Sequence, residues 1–306
     1  MIHLSDSKDL IAYLAAPDYE HTLEGELDHI ITRYGRLFLC SSQKISPVWA
    51  INTWYNPIFL EIDSIKHAGR LLKSIQRNWA GYQFHLFRRA KLIEDHLPVI
   101  KFKPWPFPFK LPTAPLGSWC LIEPDLILAA SQCSSPFPHG EIHFVENKNE
   151  PPSRAYLKLW EIFSKLQIWP KIKEKCIDFG SSPGSWSWVL AKLGTEVISI
   201  DKAPLVPNIS KMSNINYINA SAFSIQPKDI GPVDWIFADI ACYPERLFKL
   251  VTLWLESGLC QRFICTIKFQ GKDNYDIIKK FQAIPHSTTS HLFHNKHEAT
   301  WVYLKE

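Results

Sequence analysis

The chain has 306 residues, 46% of them apolar and 21% charged, with a net charge of +4. That composition supplies a sizeable core and excludes a disordered or fibrous chain, while the charge is too mild to establish a nucleic-acid partner by itself. Seven cysteines, an odd number with no CxxC pair, argue for a reducing compartment and against a disulfide framework or structural zinc.

The opening MIHLSDSKDLIAYL has no basic region ahead of an apolar core, and no apolar run approaches membrane-spanning length. A cytoplasmic protein with no membrane partner is expected. Leu10 to Leu14 reads as a short strand. From Tyr19 to Thr32 the stripe of Leu23, Leu27, Ile30 and Ile31 predicts a helix. Arg36 to Cys40 and Val48 to Trp54 read as strands, so this part is α+β.

Lys66, Arg70, Lys73 and Arg77 share one face of a predicted helix that carries Ala68, Leu71, Leu72, Ile75 and Trp79 on another. With Arg88 and Arg89 close behind, ten lysines or arginines stand against two acids between Lys66 and Lys110. Such an excess suits RNA phosphate, which supplies affinity without sequence information. A solvated face on a packing helix accounts for it equally well.

KFKPWPFPFKLP, from Lys101 to Pro112, alternates proline with aromatic residues and is neither helix nor central strand. Packing of its rings along a domain surface is the expectation, with base stacking on Trp105, Phe107 or Phe109 as the alternative. Residues 1–112 therefore form an α+β, RNA-binding region that ends in this connector. Residues 113–150 hold short strands and a polar boundary, ENKNEPP, and residues 151–306 form a catalytic domain.

Within that last part, strands near 176–179, 196–201, 215–219, 233–239, 262–268, 286–292 and 299–305 alternate with helical stretches. An α/β fold with a mostly parallel sheet follows. Its organising stretch is CIDFGSSPGSWSWVLAKLGTEVISIDK, from Cys176 to Lys202, which reads as strand, turn, helix, strand. A dinucleotide loop needs glycines at GxGxxG spacing so that pyrophosphate can approach the backbone. Only Gly180 and Gly184 are present here, with Pro183 between them, so the loop suits a ligand without pyrophosphate. S-adenosylmethionine fits: its amino-acid end meets the loop and Asp201 takes the ribose hydroxyls. The alternative is an ordinary turn with a helix-capping serine.

DFGSSPGSW resembles the DLGAAPGGW signature of the FtsJ-type RNA ribose 2′-O-methyltransferases. Four further segments fall in that family's order: SRAYLKLWEIF, VDWIFADIACYPERL, FICTIKFQGKDNYD and HNKHEATWVYL. The resemblance covers about 151–306, and within the family it runs closest to enzymes of large-subunit ribosomal RNA. It implies a seven-stranded Rossmann-like methyltransferase fold, S-adenosylmethionine as cofactor, a catalytic tetrad of Lys158, Asp239, Lys268 and Glu298, and an RNA substrate of the ribosomal class. It also implies cofactor contacts from Asp178, Gly180, Ser182, Pro183, Gly184, Ser185, Trp186, Asp201, Ser221 and Asp239. In this scheme Lys268 is the base, its pKa lowered by neighbouring Lys158, while Asp239 holds the pair and Glu298 orients a lysine or the sugar. Ser221 stands where the family usually has an aspartate facing adenine, and Ala155 replaces a small polar residue.

Other chemistries fit less well. DIACY is not the Asn/Asp-Pro-Pro-aromatic run of a base-amino methyltransferase, and Cys265 alternates with Ile264 and Ile267 as a structural thiol would. His291, His294 and His297 lack a Cys or Asp at ligand spacing, so no metal is expected. A monomer is expected. A catalytically silent RNA-binding protein of the same fold, or an enzyme of transfer or messenger RNA, remain the alternative readings.

Overall fold

The computed structural model describes residues 10–41, 46–269 and 275–305. The first nine residues, part of the stretch on which the expectation about a leader rests, lie outside them, as do 270–274 of the FQGKDNYD segment. No helix among the described residues is long and apolar enough to cross a membrane. Two compact units divide the chain between His143 and Phe144.

The first unit opens with β1 (Leu10–Ala15), α1 (Glu20–Glu24), β2 (Ile30–Tyr34), β3 (Leu37–Ser41) and β4 (Ala50–Tyr55). It continues with β5 (Ile58–Glu61), α2 (Ile65–Ile75), β6 (Trp79–Gly81) and α3 (Phe87–Glu94), then β7 (Gly117–Glu123), β8 (Leu126–Ala130) and β9 (Gln132–Cys133). Strands β2-β3-β1-β4-β9 form one sheet and β5-β8-β7-β6 another. Alternation along β7 explains the layering. Cys120 and Ile122 join residues of the first sheet such as Leu14, Leu39 and Trp54, whereas Trp119 and Leu121 pack with Ala68 and Leu72 of α2 and Ala90 and Ile93 of α3. A strand buried on both faces reads as an unbroken apolar run, as SWCLI does.

Two sequence expectations fail here. The helix predicted over Tyr19–Thr32 is only α1, and Ile30 to Thr32 lie in β2, paired with β3. The β-branched run Ile30-Ile31-Thr32 favours strand, and its alternating half-burial fits an antiparallel edge. The basic helix also ends early. Trp79 belongs to β6, and its indole Nε1 donates to the carbonyls of Leu72 and Gln76 at 2.9 and 3.0 Å, satisfying the end of α2. Arg77 therefore lies beyond the helix, leaving Lys66, Arg70 and Lys73 exposed on α2 itself. Arg88 and Arg89 sit in the first turn of α3.

The second unit begins with α4 (Tyr156–Leu166), β10 (Lys175–Phe179), α5 (Ser185–Lys192), β11 (Glu196–Asp201) and α6 (Pro207–Ser210). There follow β12 (Ile215–Asn219), α7 (Pro227–Ile230), β13 (Trp235–Ala238), α8 (Pro244–Ser257), β14 (Arg262–Lys268), α9 (Tyr275–Gln282), β15 (Ser287–Ser290) and β16 (Glu298–Leu304). All seven strands make one sheet in the order β12-β11-β10-β13-β14-β16-β15. The first five run parallel, and β16 is inserted antiparallel to both β14 and β15. This is the Rossmann-like arrangement with a reversed last strand. Strand order reverses between β10 and β13, where such sheets open a crevice at the carboxyl ends of their strands.

Candidate functional site

The loop after β10 and the ends of β11, β13 and β14 all reach that crevice. Gly180 has φ +74°, and a Cβ there would come within 2.9 Å of Ile240, so only glycine lets the loop pass the end of β13. Gly184 has φ +121° and abuts Ile209 in the same way. Asp201 ties the loop down: Ser182 N donates to its Oδ2 at 3.0 Å and Ala203 N to its Oδ1 at 2.9 Å. A seam of serines joins the entry segment to α5, with Ser153 Oγ 2.8 Å from Ser185 Oγ, while Trp186 Nε1 donates to Ala155 O at 2.9 Å.

A cleft of about 480 Å³ lies over these elements, within the size range of small-molecule sites. Of the residues singled out for a cofactor, Gly180, Ser182, Pro183, Ser185, Trp186, Asp201, Ser221 and Asp239 line it. Asp178 and Gly184 do not. Asp178 is fully buried beneath the loop, where Ser187 Oγ donates to its Oδ2 at 2.6 Å. Burial, outweighing the Ser187 bond, pushes its carboxyl up to about 7. Sequence reasoning missed Phe223 and Arg246, which share the wall with Ser221. The Arg246 guanidinium stands 4.0 Å over the Phe223 ring.

The four residues of the expected tetrad converge. Lys158 projects from the first turn of α4, Asp239 follows β13, and Lys268 ends β14. Glu298 begins β16, whose antiparallel register sets it directly opposite Lys268. Lys158 Nζ donates to Asp239 Oδ2 at 2.6 Å and to Glu298 Oε1 at 3.0 Å. Lys268 Nζ lies 2.8 Å from Asp239 Oδ1 and 3.8 Å from Glu298 Oε2. Charges therefore alternate around a ring of four. Burial would raise the pKa of Asp239, but the two ammonium groups outweigh it and hold the carboxyl below its ordinary range. Lys268 goes the other way from expectation. Burial lowers its pKa, yet Asp239 and Glu298 outweigh burial, so the net shift is upward. The expected lowering by Lys158 fails because both lysines pair with the same two carboxylates.

A second cleft, of about 610 Å³, meets the first at this ring. Ser153, Ala155, Asp239 and Lys268 line both. Arg154, Phe293, His294, Asn295 and Lys296 complete its wall. Of these five, only His294 was weighed from the sequence, as a metal ligand, and none was given a role in the site. Only their place beside Lys158 in SRAYLKL or Glu298 in LFHNKHEATWV could have marked them.

Residues 151–295 match the family model described as FtsJ-like methyltransferase. That stretch lies wholly within the second unit. Ribosomal RNA large subunit methyltransferase M of Xanthomonas oryzae pv. oryzae is 29% identical over 219 residues, 68% of this chain and 58% of that protein. Its counterpart in Pseudomonas putida is 31% identical over 159 residues, 50% of this chain and 44% of that protein. The chain thus spans about half the length of these relatives. Among solved structures, the fibrillarin pre-rRNA processing protein of Methanococcus jannaschii is similar at 20% identity, over 60% of this chain and 80% of that one, with a TM-score of 0.39.

Proposed function

We propose that the chain transfers a methyl group from S-adenosylmethionine to a ribose 2′-hydroxyl of RNA, with large-subunit ribosomal RNA as the substrate class. The supporting observation is the shared wall: two clefts open on the same two side chains, Asp239 and Lys268. A donor in one cleft and a hydroxyl in the other would be held within reach of each other, which supplies much of the acceleration of a bimolecular transfer. The substrate class follows the relatives, which are named as methyltransferases of large-subunit ribosomal RNA.

The first cleft suits S-adenosylmethionine. Ser181 Oγ is buried at its wall with no hydrogen-bond partner among the described residues, a hydroxyl that a ligand would satisfy. Asp201 accepts two amide bonds and retains lone pairs for ribose hydroxyls. Ser221 Oγ accepts from Phe223 N at 3.3 Å and keeps its O–H for a ring nitrogen of the base, with Phe223 and Ile240 in the same wall to cover the ring. When bound, S-adenosylmethionine supplies a methyl group made electrophilic by its sulfonium. Lys268 Nζ takes the proton of the 2′-hydroxyl, Asp239 and Glu298 fix that amine, and Lys158 balances their charge. Because the two carboxylates favour the ammonium, Lys268 must first lose a proton to act as base.

Lys66, Arg70 and Lys73 of α2, with Arg88 and Arg89 of α3, are our candidates for phosphate contacts in the first unit, and a cytoplasmic, monomeric enzyme is our reading. Calorimetric titration tests the cofactor. One site should bind S-adenosylmethionine, and Asp201→Ala should weaken it at least tenfold. No binding at millimolar ligand would overturn the reading and favour an RNA-binding protein that keeps the fold.

A further inference from the structure

Glu161, one turn after Lys158 on α4, is completely buried yet belongs to no part of the tetrad. Its carboxylate accepts from the backbone N–H of Phe293 at 2.9 Å and of His294 at 3.0 Å. Lys165 Nζ stands 2.7 Å away and His294 Nδ1 2.8 Å away. Burial works against ionisation, but Lys165 and His294 outweigh it and bring the carboxyl down to about 2. An ionised carboxylate only accepts hydrogen bonds, so Nδ1 carries a proton in either charge state of the ring, and in the neutral ring it is the only one. Nε2 is then a lone-pair acceptor, and it has no hydrogen-bond partner among the described residues. His294 lines the second cleft together with Lys158, Asp239, Lys268 and Glu298.

We propose that His294 Nε2 accepts a hydrogen bond from a ribose hydroxyl of the RNA strand in the second cleft, and that Glu161 is the positioning residue that fixes the tautomer and ring. The inference rests on the second cleft being the acceptor's. A hydroxyl is the donor that every nucleotide of RNA carries and DNA lacks, so this contact selects for RNA irrespective of sequence. The same carboxylate holds the loop that presents the ring, which ties the strength of the contact to α4.

The test compares fluorescein-labelled oligouridylate of twelve nucleotides with the same length of deoxyuridylate, by anisotropy. His294→Asn leaves an amide N–H at the Nδ1 position to bond Glu161 but removes Nε2. It should keep the thermal midpoint and lower the preference for RNA over DNA about three- to tenfold, the loss of one hydrogen bond. Glu161→Gln should lower the same ratio, and the two changes together should do no more than either alone. An unchanged ratio in His294→Asn, or equal weakening toward RNA and DNA, would overturn the inference. Titration of the wild type with S-adenosylmethionine runs alongside and reads the proposed function separately. Cofactor binding with an unmoved ratio sinks only the role of His294, whereas a moved ratio without cofactor binding sinks only the methyl transfer.

Discussion

Lys268 carries the sharpest consequence of the ring geometry. With its pKa raised by Asp239 and Glu298, the fraction of neutral amine grows with pH up to and beyond the ordinary lysine value. The rate of transfer at saturating substrate should therefore climb through the alkaline range, close to tenfold per unit while the amine is mostly protonated. A pH–rate profile flat from neutrality upward would remove Lys268 as base. Lys268→Ala should cost about 10²- to 10⁴-fold in kcat and leave S-adenosylmethionine affinity within about twofold, measured by single-turnover kinetics and calorimetry. Asp178 allows a test independent of activity. Its folded-state carboxyl titrates at about 7, above the ordinary value, so the folded protein holds that proton more tightly than the unfolded chain. Stability is then lost as pH rises from about 4 to about 7. In thermal unfolding, Asp178→Asn should gain on the wild type between pH 5 and pH 8, and a difference independent of pH would contradict that environment. Asp178 also shows where the sequence misleads: a strand-end acid looks the same whether it faces a cleft or, as here, points down at Ser187.

At the scale of elements, the strands of the second unit other than β15 (STTS) were legible because each is a short stretch rich in apolar residues closed by a turn signal. The opening of the first unit was less so. Leu23, Leu27, Ile30 and Ile31 satisfy helical spacing, yet strand pairing with β3 claims the last two. The end of α2 depends on a contact invisible in periodicity, the Trp79 indole on two helix carbonyls. Trp79→Phe removes both bonds and should cost about 1–2 kcal/mol in urea unfolding; an unchanged midpoint and slope would show that water replaces the indole without loss. If α2 meets RNA phosphate, changing Lys66, Arg70 and Lys73 together to glutamine should flatten the plot of log affinity against log salt by about two units on single-stranded RNA. An unchanged slope would return the basic stripe to a solvated face.

Over the whole molecule, the alternation of strands and helices foretold a parallel sheet, and the DFGSSPGSW turn foretold which end of it would carry the site. What no local pattern contains is the reversed insertion of β16 between β14 and β15, which alone sets Glu298 opposite Lys268. Resemblance to a family supplied that pairing where periodicity could not. The second cleft went unread for the same reason: Arg154, His294 and Lys296 come from distant segments that only the finished fold brings beside α4. The proposed division of labour between two clefts makes the central claim testable in one reaction. Purified chain, methyl-labelled S-adenosylmethionine and large-subunit RNA from cells lacking the gene should give labelled ribose 2′-O-methyl nucleoside after complete nuclease digestion, and Lys268→Ala should give none. Label on a base, or none at all with wild-type chain that binds the cofactor, would contradict the account.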